Sequence, residues 1–246
     1  MRRRSLLVTL FAGVALAAPA ASAAATDAAG LADDCNKDGS VEIAGRMTVE
    51  GGAGVLNRDC FVTMSAKATL VMRNVTLTGS DVVFSIGDAL ASTTVVVDDT
   101  SISLGDGGAI QLSPGCCGGE EPPDRSERYA KITVTDSFLR AGTVELSAST
   151  AAPDGTVVIK RSVLKGVATW SENPVVVNAS FSDARGKVSV SDSELISATG
   201  ILIATGTDGT TRASRNTFAF ETAVTLTTGA GGSCTSTANS PPTVCS

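Results

Sequence analysis

The chain has no histidine, one tryptophan and one tyrosine among its 246 residues. Without an imidazole, Ser-His-Asp and Cys-His catalysis are excluded, and a zinc site would have to come from thiolates whose spacing does not suit it. Aromatic residues make up only 4% of the chain, so a groove lined by several sugar-stacking rings looks thin. Positive charge is also short: 19 Lys and Arg stand against 25 Asp and Glu, a net charge of −6. No basic stripe runs through the linear sequence, which argues against nucleic acid as a partner. The one long apolar run, residues 6–18, is too short to span a bilayer and has no basic stop flank.

That run follows Arg2, Arg3 and Arg4 and precedes Ala21-Ser22-Ala23. A basic segment, a short apolar segment and small residues form a signal peptide over residues 1–23, cut after Ala23. The mature chain, more acidic once those arginines are gone, is then expected to be secreted or held at the cell surface, with no transmembrane anchor. All six cysteines lie in this mature part, as suits an oxidising exterior. Local pairing joins Cys35 to Cys60 and Cys234 to Cys245, each pair bracketing one end of the chain. Cys116 and Cys117 remain, bonded to each other or reaching elsewhere.

Between those ends one short grammar recurs. In TVVIKRSVL, Val157 and Ile159 alternate, Arg161 follows two positions later, then Ser162, then Leu164. The same order runs through Val95, Val97, Asp99, Thr100, Ile102; through Ile132, Val134, Asp136, Ser137, Leu139; and through Val188, Val190, Asp192, Ser193, Leu195. Weaker copies are Thr69, Val71, Arg73, Asn74 and Thr211, Ala213, Arg215, Asn216, Phe218. A second short apolar pair follows in each copy, such as Val82 and Phe84, Ile110 and Leu112, or Val175 and Val177. Period-two runs with β-branched residues and Gly or Asp in the turns are strands. No helix is expected outside the leader.

A unit this short cannot bury its apolar face alone, so the copies must stack. The expected fold is all-β: a parallel β-helix of about six to seven coils with capped ends. One domain covers residues 24–246, with a cap and first coil over 24–64 and a disulfide-closed tail over 230–246. Asn74, Thr100, Ser137, Ser162, Ser193 and Asn216 should form a polar ladder at one bend, where short side chains bond buried peptide groups. Arg73, Asp99, Asp136, Arg161, Asp192 and Arg215 should form a charge column beside it. A second outer column, Val83, Gln111, Glu145, Val176, Leu202 and Thr225, is apolar for a solvated face.

The stretches Val134-Thr135-Asp136-Ser137-Phe138-Leu139 and Ala213-Ser214-Arg215-Asn216-Thr217-Phe218 resemble the right-handed parallel β-helix repeats of the pectate-lyase-like superfamily, over roughly residues 65–229 of this chain, which implies a right-handed coil. The resemblance concerns architecture, because the repeated residues are those that stack. For the superfamily's lyases it implies calcium held by converging carboxylates, with a lysine or arginine as base; Asp98, Asp99 and Lys160 are the matching candidates. For its hydrolases it implies two close aspartates; here these are Asp99 and Asp136, beside Arg161. A polysaccharide lyase or glycoside hydrolase is therefore the alternative, and calcium is expected only under the lyase.

The favoured expectation is a non-catalytic protein that binds a surface polysaccharide or another protein. Two insertions break the repeat, at residues 114–128 and 165–174, and long loops on a regular scaffold are where binding residues gather. They supply Glu120, Glu121, Asp124, Lys165 and Trp170, with Tyr129 beside the first. The competing reading of Trp170 is an anchor folded back onto its own coil.

Overall fold

The computed structural model describes residues 24–65, 67–88, 93–113, 130–148, 155–179, 185–220 and 224–245. Among them, three parallel sheets of nine, eight and seven strands wind around one core. Each full coil adds one strand to the nine-stranded sheet, then to the seven-stranded, then to the eight-stranded; Thr156–Lys160, Val163–Gly166 and Val175–Ala179 are one such set. The chain is thus a right-handed parallel β-helix of about seven turns, in agreement with the sequence.

The alternation puts every second side chain inside. Val95, Ile132, Val157 and Val188 stack in register across the nine-stranded sheet, and Ile102, Leu139, Leu164 and Leu195 across the seven-stranded one, all of them fully buried. Full burial of one such side chain contributes on the order of 1.5–3 kcal/mol. Each of these side chains has in-register neighbours in the adjacent coils, so stacking is a condition of stability.

The corner between the nine- and seven-stranded sheets repeats in every coil. Gly51, Asn74, Asp99, Asp136, Arg161, Asp192, Arg215 and Ala238 occupy it, all with positive φ. This left-handed turn disfavours β-branched residues, and Asp, Asn and Gly tolerate it best. The next residue points inward and carries the ladder. The Thr100 N–H donates to the Ser137 hydroxyl at 3.1 Å, Ser137 N–H to Ser162 at 3.2 Å, and Ser162 N–H to Ser193 at 3.2 Å. Ser193 N–H then donates to Asn216 Oδ1 at 3.0 Å, and Asn216 N–H to Asn239 Oδ1 at 2.9 Å.

The ladder therefore runs one step further than expected at its C-terminal end and one step less at the other. Asn74 is not in it: Asn74 holds the left-handed position, and the buried Val75 takes the ladder place. Leu70, Val71 and Met72 form an unbroken apolar run that leaves the phase open. The structure turns Leu70 and Met72 inward, so Arg73 pairs in register with Asp98 rather than with Asp99. In the eight-stranded sheet Phe84 and Ile86, not Val82 and Phe84, align with Ile110 and Leu112.

An α-helix, α1 (Ala28–Asp38), covers the N-terminal end of the core, contrary to the expectation of strand throughout. Asp27 caps it by accepting the Gly30 N–H at 2.8 Å, and Gly39, at φ 71°, closes it by donating to the Cys35 carbonyl at 2.7 Å. Ala28, Leu31, Ala32 and Cys35, spaced three and four apart, are its buried stripe. The helix lies so close to Gly54 that a Cβ there would collide with the Ala28 carbonyl. Cys35 is bonded to Cys60, and Cys234 to Cys245, as the spacing indicated.

Candidate functional site

Three sheets meet at three corners, and the two insertions leave from different ones. Residues 114–129 connect strand Ala109–Ser113 of the eight-stranded sheet to the nine-stranded sheet. Residues 167–174 connect the seven-stranded sheet to strand Val175–Ala179 of the eight-stranded sheet, two strands further along. Both insertions therefore border the eight-stranded sheet, at opposite ends of its strands.

Between them runs an outward row in register: Phe61, Ser85, Gln111, Glu145, Val176 and Leu202. The row enters through Ser85 and not Val83, which follows from the two-residue shift in the pairing of that strand. Glu145 stands in the middle of the row, between Gln111 and Val176. Burial there pushes its carboxyl above the usual range, because the charged form loses hydration. Phe61, at the N-terminal end of the row, is 49% exposed.

The loop carrying Trp170 is fixed at its base. Val167 N–H donates to the Ala141 carbonyl at 3.1 Å, Ala168 N–H to Gly142 at 2.9 Å, and Val144 N–H to Pro174 at 2.7 Å. The Thr199 hydroxyl adds a bond to the Ser171 carbonyl at 2.6 Å. Trp170 itself is 72% exposed, so it is displayed at the edge of the eight-stranded face rather than folded back as an anchor. Lys165 lies within strand Val163–Gly166, level with Arg140 and Ile196 on the outer face of the seven-stranded sheet. Glu120, Glu121, Asp124, Tyr129, Cys116 and Cys117 lie outside the described residues.

The candidates for the enzyme reading gather elsewhere, at the corner of the nine- and seven-stranded sheets, the one corner the eight-stranded sheet does not share. Asp98, Thr135 and Lys160 stand in successive strands of one outer row, Asp98 accepting the Thr135 hydroxyl. Arg73 approaches Asp98 at 3.9 Å. In the adjacent column Arg161 grips both oxygens of Asp136, with Nε to Oδ1 at 2.6 Å, and Arg215 grips Asp192 in the same way. These guanidiniums hold the Asp136 and Asp192 carboxyls below the usual range. Asp99 sits one coil from Asp136 in that column. Among the described residues, no three acidic or cysteine side chains converge as a metal site would require.

Trp170 and the enzyme candidates thus belong to different corners of the coil, whereas Lys165 stands on the seven-stranded sheet that borders the enzyme corner. Sequence reasoning could not separate them, because a residue's corner depends on how many sheets a coil contributes to. The class the structure defines is the parallel β-helix, with disulfide-tied ends. Comparison with protein-family models, with curated proteins and with solved structures finds no match.

Proposed function

We propose that the protein is a secreted, non-catalytic β-helix that binds a surface polysaccharide along the outer face of its eight-stranded sheet. In this reading residues 1–23 are an export leader and residues 24–246 a single folded unit. The observation that carries it is Trp170: a 72% exposed indole, on a loop bonded at both ends, beside a face whose other edge bears the second insertion. An exposed aromatic plane on a fixed support suits a sugar ring, whose C–H face is apolar. The row beside it supplies amide, carboxyl and hydroxyl groups from Gln111, Glu145 and Ser85.

The test is binding of the protein to neutral and acidic polysaccharides, while unsaturated products and new reducing ends are measured with and without calcium. Binding without turnover that is lost in Trp170→Ala supports the proposal. Binding of a protein partner alone, with no polysaccharide retained, counts against it. One observation favours the second reading, a polysaccharide-degrading enzyme. Glu145 is a carboxyl raised by burial in the middle of the outward row, a shift in the direction that general-acid catalysis uses. Turnover abolished by Glu145→Gln would establish that reading in place of the first.

A further inference from the structure

We infer that the outer face of the nine-stranded sheet is a second, separate binding surface, for a linear polysaccharide carrying one acidic group per two sugar units. The charges on this face run against those of the chain. Its outward rows contain Arg46, Arg73, Lys131, Lys160, Lys187 and Arg212 against only Glu50 and Asp98, on a protein of net charge −6. The four central cations come from four successive strands, so no stretch of sequence shows them together. Lys131, Lys160, Lys187 and Arg212 are exposed, and none forms a salt bridge among the described residues.

The arrangement selects among polyanions. Lys131 and Lys187 stand in one row with Thr156 between them, followed by Thr210. Two coils separate the lysines, about 10 Å, of the order of two sugar units. A polymer with an acid on every sugar would set every second one against a hydroxyl. One with an acid on alternate sugars would set its neutral units against Thr156 and Thr210, which suit sugar hydroxyls. Thr156, Val158, Lys187, Ser189, Thr210 and Arg212 line a shallow depression there, and among the described residues of these strands no aromatic side chain lies on this face to stack nucleic-acid bases. The lysines act as point charges on flexible stems, which suits a polymer held by its field rather than by forked pairs.

Affinity is measured for hyaluronan, with one carboxylate per disaccharide, and for polygalacturonate, dextran and duplex DNA. The expected order puts hyaluronan first, weakening as salt rises, as binding by displaced counterions requires. The triple variant Lys131→Gln/Lys187→Gln/Arg212→Gln should lose hyaluronan affinity by about tenfold or more, with an unchanged circular dichroism spectrum. Lys37→Gln, on the end-capping helix, should bind as the parent does. Hyaluronan affinity lost in Trp170→Ala but retained in the triple variant would put the polymer on the eight-stranded face, overturning this inference while leaving the proposed function standing. Parental affinity in the triple variant, polygalacturonate binding as tightly as hyaluronan, or DNA binding more tightly than either would each overturn the inference.

Discussion

Two corners of the coil follow opposite rules. Between the nine- and seven-stranded sheets, every coil turns on a left-handed residue, from Gly51 to Ala238, and from Asn74 onward an inward residue follows it. Between the eight- and nine-stranded sheets, the connections range from two residues, 44–45, to sixteen, 114–129. The first corner buries peptide groups whose bonds come from the neighbouring coils' side chains, so a change in one coil disturbs the next. At the second corner length is free, since a longer surface connection costs only a little closure entropy. The lesson is that the fold's precision is confined to one edge, which leaves the other edges open to insertion and hence to function.

The comparison is broken most severely by adding one glycine between Asp136 and Ser137. A one-residue slip exchanges inward for outward side chains in every following strand until a loop absorbs it. Cooperative thermal unfolding should be lost or strongly reduced. A glycine added to the connection of residues 149–154 should leave the melting curve nearly unchanged.

A smaller effect separates two serines of the same coil region. Ser162→Val removes the acceptor of the Ser137 N–H and the donor to the Lys160 carbonyl, at 2.9 Å, leaving buried groups unpaired at about 1–3 kcal/mol. Ser191→Val, on the outer face, should stay within about 0.5 kcal/mol. Denaturant melts of the two variants check this, and equal effects would break the distinction between ladder and face.

Glu145 gives a third contrast, with a sign that depends on pH. Its raised carboxyl means that ionisation opposes folding: there is no penalty below the ordinary Glu range, and the penalty is complete above the raised value. Glu145→Gln should therefore melt higher than the parent at neutral pH, and the two should converge in acid.

The smallest change expected is at the exposed charge column. Arg161 lowers the Asp136 carboxyl, so their mutual stabilisation is present above the ordinary Asp range and is lost as pH falls through the lowered value. Arg161→Gln should lower the melting temperature slightly at neutral pH in low salt. High salt should erase the difference, because an exposed pair is screened.

Much of this was legible because an alternating pattern specifies which side chains face inward. Wherever Val, Ile or Leu alternated cleanly with polar residues, as in Val157 and Ile159, the register was readable. It failed at Leu70-Val71-Met72, where adjacent apolar residues allow either phase, and at Val82 to Ile86 the inward phase was right but the pairing slipped by two residues, because three alternating apolar positions left the partner open. The α1 helix was readable in principle from Asp27 as cap, Gly39 as stop and the spacing of Leu31, Ala32 and Cys35. Its Ala-rich and Asp-rich composition hid an apolar stripe only one residue wide per turn. Of the candidate sites, Trp170 and its loop could be named but not placed, since exposure and corner are properties of the closed coil. The cationic face was invisible, because its charges are about one coil of sequence apart.

The ladder has one more consequence. Its rungs are separated by 37, 25, 31, 23 and 23 residues, yet every rung presents the same step to its neighbours. A whole coil is therefore an interchangeable unit of length: a gene that gained or lost one would yield a longer or shorter rod with both ends intact. The protein can be measured out in whole steps, and the span of polymer it covers would change with it.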